Sequence, residues 1–397
     1  MKRLSVLMAV CFVDMLGLML VAPLMAFYAL RLHAPEWLVG PLIASFAVAQ
    51  LISSPVWGKL SDRYGRRPAL LVGLGASAFA YLIFGFANSL WLLFASRIVQ
   101  GLGGGTTGVA QAYVADTMQP TERAKALGWL SAATSAGVVI GPFIGSIAHR
   151  FGTEVPGVVA AALVLINVGF AWKWLPESRV PHAHSATPSG RYAPPPGRSV
   201  KRALWEILRH PALPSHRVIW IYVVGMLALY LKDTYAVTED TIGYFFPIFG
   251  IVGVLMRVWL VGWFNERFGE VRTMQIGTVL LGLGLALMPL PAALVPAAPA
   301  MALFIVFLVL VPMGTALLFP ASTSLVSQRS EKDEVGLMMG AQQTFRGIMS
   351  IAGPVGATLA FDAFGHGVPF LLAAGIVGVA FVLAVREPRH TPVAATA

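Results

Sequence analysis

The feature that most constrains this chain is a rhythm. Apolar runs of roughly 20 residues follow one another almost from end to end, with charges confined to short clusters between them. A run of that length is what crosses a hydrocarbon core about 30 Å thick. Inside hydrocarbon every backbone N–H and C=O must find a partner within the protein, so the runs are expected to be helices. The other spanning solution, a β-barrel, needs period-2 alternation in pieces of about 10 residues, and that pattern is absent. Composition agrees: the chain is 57% hydrophobic and 12% charged, against about 25% charged in soluble domains.

Twelve spans are predicted, at 4–30, 37–57, 69–88, 90–113, 125–148, 155–175, 214–236, 242–264, 273–291, 299–321, 336–361 and 367–385. Lys2 and Arg3 before an apolar stretch resemble a signal peptide. The stretch continues to Leu30 without a cleavage site, so it reads as the first membrane helix. Placing both termini in the cytoplasm puts 22 of the 28 Lys and Arg residues on that side, with only Arg31, Arg150 and Lys232 outside. Such an asymmetry fixes topology and also accounts for the net charge of +10, which therefore does not point to nucleic acid. The single cysteine, Cys11, permits no intrachain disulfide and reads as a packing residue. The seventh span is short, with an uninterrupted apolar core only from Ile219 to Leu231, so Lys232 and Asp233 are expected deeper than a loop would place them.

Residues 176–213 differ in composition, with Pro194-Pro195-Pro196 and a concentration of basic residues. They are expected to be a cytoplasmic linker between an N-terminal bundle, 1–175, and a C-terminal bundle, 214–397. Within the linker, Val200–Arg209 reads either as a short basic helix on the inner leaflet or as a solvated connector. The two bundles repeat one another. Gly58, Asp62, Arg63 and Gly65 recur as Gly262, Glu266, Arg267 and Gly269, each 204 residues later. Gly128, Gly141 and Pro142 recur as Gly340, Gly353 and Pro354, each 212 later. The expected fold class is an all-α membrane protein of twelve transmembrane helices in two pseudo-symmetric six-helix bundles, with a binding site near the midplane between them.

Four strings carry chemistry. The first is Gly58-Lys59-Leu60-Ser61-Asp62-Arg63-Tyr64-Gly65-Arg66-Arg67, whose glycines permit a tight turn and whose cations hold the loop in the cytoplasm. The second is Arg97-Ile98-Val99-Gln100-Gly101, running into Gly103-Gly104-Gly105, which reads as helix packing. An Arg within a span should face a polar interior or a partner. The third is Gly128, Gly137, Gly141, Pro142 and Gly145 in helix five, small residues spaced for backbone-to-backbone packing around a proline. The fourth is Asp14, an acid about ten residues, or roughly 15 Å, inside helix one.

These strings resemble the twelve-helix drug:proton antiporters of the major facilitator superfamily over most of the chain, and the first half resembles tetracycline efflux pumps. The resemblance implies that Asp62, Arg66 and Asp116 form a cytoplasmic gate latch, with Arg63, Gly65 and Arg67 in the same motif. It links Arg97 and Gln100 to proton transfer, and the helix-five motif to export. Ser146 departs from that motif, where a second Gly is usual. The acids that tetracycline pumps carry in helices three and nine are missing: Ala80 precedes Tyr81, and Thr273–Pro291 holds no acid.

Asp14 is expected to take a proton from outside and release it inside as substrate binds, with Arg97 tuning its proton affinity; the alternative is a permanent Asp14–Arg97 pair. Tyr28, Gln50, Gln100, Tyr113, Asn167, Phe245, Arg257, Gln343 and Arg346 are candidate cavity residues. Neither a nucleophile constellation nor a Walker phosphate loop is present, so no enzyme and no ATP-driven pump is expected. The expected protein is a monomer in the lipid bilayer of a bacterial inner membrane. It uses the proton gradient as its energy source, with no cofactor and no metal, and moves a small molecule outward. An uptake carrier or facilitator, and a non-transporting receptor, are the alternatives.

Overall fold

The structure is a computed structural model that describes residues 2–178, 227–329 and 335–386. The linker is therefore outside the described residues, as is the first part of helix seven. So too are the side chains of Arg257, Gln343 and Arg346. The chain is helical throughout the described residues. Eight of the described helices are long and apolar enough to cross a membrane.

Helix one is α1 (Lys2–Val21), a 3-10 turn at Ala22–Leu24 and α2 (Met25–Arg31). Pro23 causes the interruption, because it has no N–H to bond into the preceding turn. Helix two is α3 (Glu36–Tyr64) and helix three α4 (Arg66–Gly85). Helix four is divided into α5 (Leu90–Gly103) and α6 (Thr106–Thr117). Helices five and six are α7 (Pro120–His149) and α8 (Val155–Trp174). The described end of helix seven is α9 (Leu227–Tyr235), followed by a one-turn α10 (Glu239–Ile242). Helix eight is α11 (Phe246–Leu255), a π turn at Met256–Leu260, and the start of α12 (Val261–Leu287). After a short α13 (Leu290–Leu294) come α14 (Ala297–Arg329), α15 (Val335–Phe364) and α16 (Val368–Arg386).

Three sequence expectations change. Helix four is not continuous: the three glycines interrupt it, as expected physically of a run in which each Gly disfavours helix by about 1 kcal/mol relative to Ala. The loop between helices eight and nine shrinks to a single residue. Gly269, at φ 76° and ψ 165°, turns the chain within α12, just as its repeat-mate Gly65 does at φ 102° and ψ 157°. Only glycine takes such a conformation without strain. Helix eight, predicted as one span over 242–264, begins at Phe246 and is interrupted by the π turn at Met256–Leu260.

The described residues form two compact units. The first holds residues 2–178 with 227–251 and 347–369; the second holds 252–329, 335–346 and 370–386. The outer parts of helices seven, eight and eleven thus pack with the first six helices. Small residues make the closest seams. Gly137 and Gly141 of α7 lie against the carbonyls of Phe12 and Leu16, where an added Cβ would stand 2.6 and 2.7 Å away. Gly145 meets the carbonyl of Leu20 more tightly still. Gly128 meets nothing within 4 Å among the described residues. In the first unit Gly73 of α4 meets Gly103, and in the second Gly277 meets Gly314 in the same way. Gly277 stands 204 residues after Gly73, so the helix three–four seam is repeated between helices nine and ten.

Candidate functional site

Asp14 lies on α1 in the interior of the first bundle. Its carboxylate accepts a hydrogen bond of 2.8 Å from the hydroxyl of Thr106, the first residue of α6. Arg97 on α5 is 4% exposed, yet among the described residues it forms no ion pair, and its Nε and Nη2 find no hydrogen-bond partner. The alternative reading, a permanent Asp14–Arg97 pair, is therefore not what the structure shows. The phenol of Tyr81 on α4 lies within electrostatic reach of both charges. The Tyr81 hydroxyl accepts a 2.7 Å bond from Gln100 Nε2, and the ring packs on Gly17, one turn beyond Asp14. Helix depth can be counted from a sequence, but the direction a side chain takes around the helix cannot. That is why Tyr81 and Thr106 were missed.

The latch is built around one turn. Gly65 reverses the chain, and α4 begins at the next residue. Arg66 reaches back to Asp62 Oδ1 at 2.8 Å, sideways to Asp116 Oδ2 at 2.8 Å, and to Ser61 Oγ at 2.6 Å. Asp116 is the penultimate residue of α6, so the latch ties helix two to helix four. Glu177, absent from the sequence reading, caps α4: its two carboxylate oxygens accept the backbone N–H groups of Arg66 and Arg67 at 2.9 and 3.1 Å. A carboxylate suits the positive end of a helix dipole and supplies the acceptors that the first turn lacks. Arg67 donates to the carbonyl of Trp172 on α8. Gly58 touches nothing within 4 Å, and Arg63 lies beside the Tyr64 ring.

Most of the candidate cavity residues serve packing here. Tyr28 is buried and donates to the Thr153 carbonyl. Tyr113 donates to the Pro176 carbonyl at 2.8 Å, and Asn167 to the Val10 carbonyl at 2.9 Å. Gln50 donates to the carbonyl of Gly104 at 2.9 Å, within the break in helix four. Phe245 is half-buried in the turn before α11.

At the end of the bundle away from the latch, Ser146 does more than fill space. Its hydroxyl donates to the Glu239 carbonyl and accepts from the Gly243 N–H, both at 2.8 Å. Arg31 pairs with Glu239 and His149 with Asp240, each at 2.9 Å. Among the described residues, Glu36, Asp233 and His366 bring ligand atoms within 4.8 Å of one another, but Asp233 and His366 are exposed and Lys232 acts on the same Glu36.

The chain is 28% identical over 364 residues to the class G tetracycline resistance protein of Vibrio anguillarum, covering 88% of each chain. It is 29% identical over 402 residues to multidrug resistance protein 2 of Bacillus subtilis (strain 168), covering 97% of this chain and 95% of that one. Among solved structures, nucleoside transporter NupG shares a TM-score of 0.74 at 13% identity, covering 98% of this chain and 100% of that one. A POT family transporter in complex with 5-aminolevulinic acid shares 0.76 at 14% identity, covering 96% and 94%. At those identities the likeness is one of fold. The family profile described as Major Facilitator Superfamily matches residues 7–231 and 218–397. The chain therefore belongs to the major facilitator superfamily and is a multi-pass membrane transporter.

Proposed function

We propose that this transporter is a proton-driven antiporter that exports amphipathic small molecules by alternating access. The observation that carries the reading is Asp14: an acid within a membrane span, held by a neutral hydroxyl instead of by the nearby Arg97. A carboxylate locked in an ion pair gives up its proton at once and keeps the pair. One held only by Thr106, with no ion pair to the guanidinium, can alternate between charged and neutral forms as access changes. Export is supported by the helix-five glycine seam against α1 and by relatives that are tetracycline and multidrug resistance proteins. A multidrug range fits better than tetracycline alone, because helix three has buried Ala80 where an acid is expected and helix nine has no acid. The Lys and Arg asymmetry supports an orientation with both termini in the cytoplasm. The latch of Asp62, Arg66 and Asp116 closes or releases the cytoplasmic side, and the proton gradient supplies the energy without a cofactor.

The test is purified protein in proteoliposomes under an imposed pH gradient, offered ethidium, tetracycline and an anionic fluorescent dye. Proton-driven movement of at least one compound is expected, and Asp14→Asn is expected to abolish it while leaving binding in detergent near wild type. Undiminished proton-driven transport by Asp14→Asn would overturn the reading.

A further inference from the structure

Helix four has an unusual construction. Its upper part, α5, ends at Gly103, and its lower part, α6, is a separate helix of 12 residues, about 18 Å long. The two ends of α6 hold different machinery. Thr106 at its start donates to Asp14 at 2.8 Å. Asp116 at its end accepts from Arg66 at 2.8 Å. One short helix thus touches the acid within helix one at one end and the latch at the other.

The break above α6 is built. Interrupting a helix leaves carbonyls without their usual partners, and inside a membrane those must be satisfied by protein. Three side chains on one face of α3 do this. Gln50 donates to Gly104 O at 2.9 Å, Ser53 to Gly101 O at 3.0 Å, and Trp57 to Leu102 O at 2.5 Å. The glycines leave no room for other residues: a Cβ at Gly105 would strike the Trp57 ring, and one at Gly104 would stand 2.9 Å from Gln50 Nε2. The same α3 ends in the latch turn.

We propose that α6 is the transmission rod of coupling: Thr106 reads the charge on Asp14, the Gly103–Gly105 break lets α6 move as a unit, and Asp116 carries that movement to Arg66. This rests on Asp14 being the proton carrier. An ionised carboxylate takes a charge-assisted bond from Thr106; the neutral acid accepts more weakly and frees the first turn of α6. The groups facing Asp14 are Cys11 on its own helix, Tyr81 on α4, itself within reach of Arg97 on α5, and Thr106 on α6. On the other faces of α1, the seam glycines of α7 lie against Phe12, Leu16 and Leu20, and Asn167 of α8 donates to Val10. Tyr81 also stands on a helix that reaches the latch, since α4 begins at Arg66, but among the described residues it is Thr106 that makes the side-chain hydrogen bond to Asp14. Thr106 is then a positioning residue.

The test is hydrogen exchange of the intact, purified chain in detergent, comparing wild type, Asp14→Asn, Thr106→Val and Thr106→Ser. Asp14→Asn and Thr106→Val are expected to raise exchange in both 103–117 and 58–67 by about tenfold, in the range of ordinary coupling energies. Thr106→Ser is expected to match wild type. The pH dependence of exchange in 58–67, corrected for intrinsic amide chemistry, should vanish in Thr106→Val and persist in Thr106→Ser. If Thr106→Val does not fold, Thr106→Ala carries the same comparison. A Thr106→Val protein that loosens 103–117 but leaves 58–67 at wild type would overturn the proposal, as would an effect of Asp14→Asn on 58–67 that Thr106→Val does not share. The proteoliposome result for Asp14→Asn is scored separately, so a failed proton role and a failed rod give different patterns.

Discussion

At the end away from the latch, the molecule makes one contact twice. Gly243, just after α10, sits against the carbonyl of Pro142 and the hydroxyl of Ser146 in helix five. Gly40, near the start of α3, sits against the carbonyl of Pro354 and the hydroxyl of Thr358 in helix eleven. Each hydroxyl lies four residues after its proline, and each bonds a backbone carbonyl on the partner segment, Glu239 or Trp37. The latch end is different. Gly65 and Gly269 share a backbone conformation, but only Gly65 is surrounded by chemistry. A Cβ there would stand 2.5 Å from Glu177, whereas Gly269 meets nothing within 4 Å among the described residues. The duplicated backbone has been kept at both ends, and among the described residues the turn of the first repeat carries the ion pairs of Arg66. Helix four and helix ten differ in the same sense: the first breaks after its seam glycine, and α14 runs through Gly314 without interruption.

The sharpest way to break this comparison is to fill the paired glycines. Gly40→Ala and Gly243→Ala each drive a methyl into a backbone carbonyl that cannot retreat far, and each should cost about 3 kcal/mol in thermal unfolding measured in detergent. Unequal effects would show that the two contacts are not equivalent. Next in size is Arg66→Ala, which strands Asp62 and Asp116. We expect about 2 kcal/mol, less than for a fully buried pair because those carboxylates remain 55% and 31% exposed. Arg267→Ala, at the exposed repeat-mate of Arg63 beside the second turn, should stay within about 0.5 kcal/mol. Equal losses would erase the asymmetry. Between the Arg66 and Arg267 changes fall Ser146→Ala and Thr358→Val, expected at about 1 kcal/mol each for the lost hydrogen bonds. Ser146→Ala should be the larger, since it also leaves the Gly243 N–H without its acceptor.

Much of this architecture was written plainly in the chain. The spacing of apolar runs, the distribution of Lys and Arg, and the offsets of 204 and 212 gave the helices and the duplication. The resemblance of the Gly58–Arg67 string placed Arg66 beside Asp62 and Asp116. What stayed hidden were the polar partners supplied by ordinary-looking residues. Thr106, Ser146 and Thr358 are small hydroxyl residues, which membrane helices also use for packing. Glu177 reads as the start of a linker until the turn at Gly65 brings α4 to meet it. Arg97 and Asp14 were matched by depth, but a helix apolar on nearly all sides does not reveal which way each side chain faces. Gly103-Gly104-Gly105 read as packing because glycine serves seams and breaks alike. Only the captured carbonyls of Gly101, Leu102 and Gly104 separate the two uses.

One irregularity separates the two halves. Gly58 and Gly262 are 204 residues apart, but Gly40 and Gly243, which make matching contacts, are 203 apart. Somewhere between Gly243 and Gly262 the second repeat has one residue more. The π turn at Met256–Leu260 lies in that interval, and such a turn is how a helix houses a single insertion. An extra residue in a regular α-helix would swing everything beyond it by about 100°. Widening one turn absorbs it instead, so the contact at Gly243 and the hinge glycine at Gly269 both keep their ancestral facing. The bulge takes up the one-residue difference between the halves without turning either end.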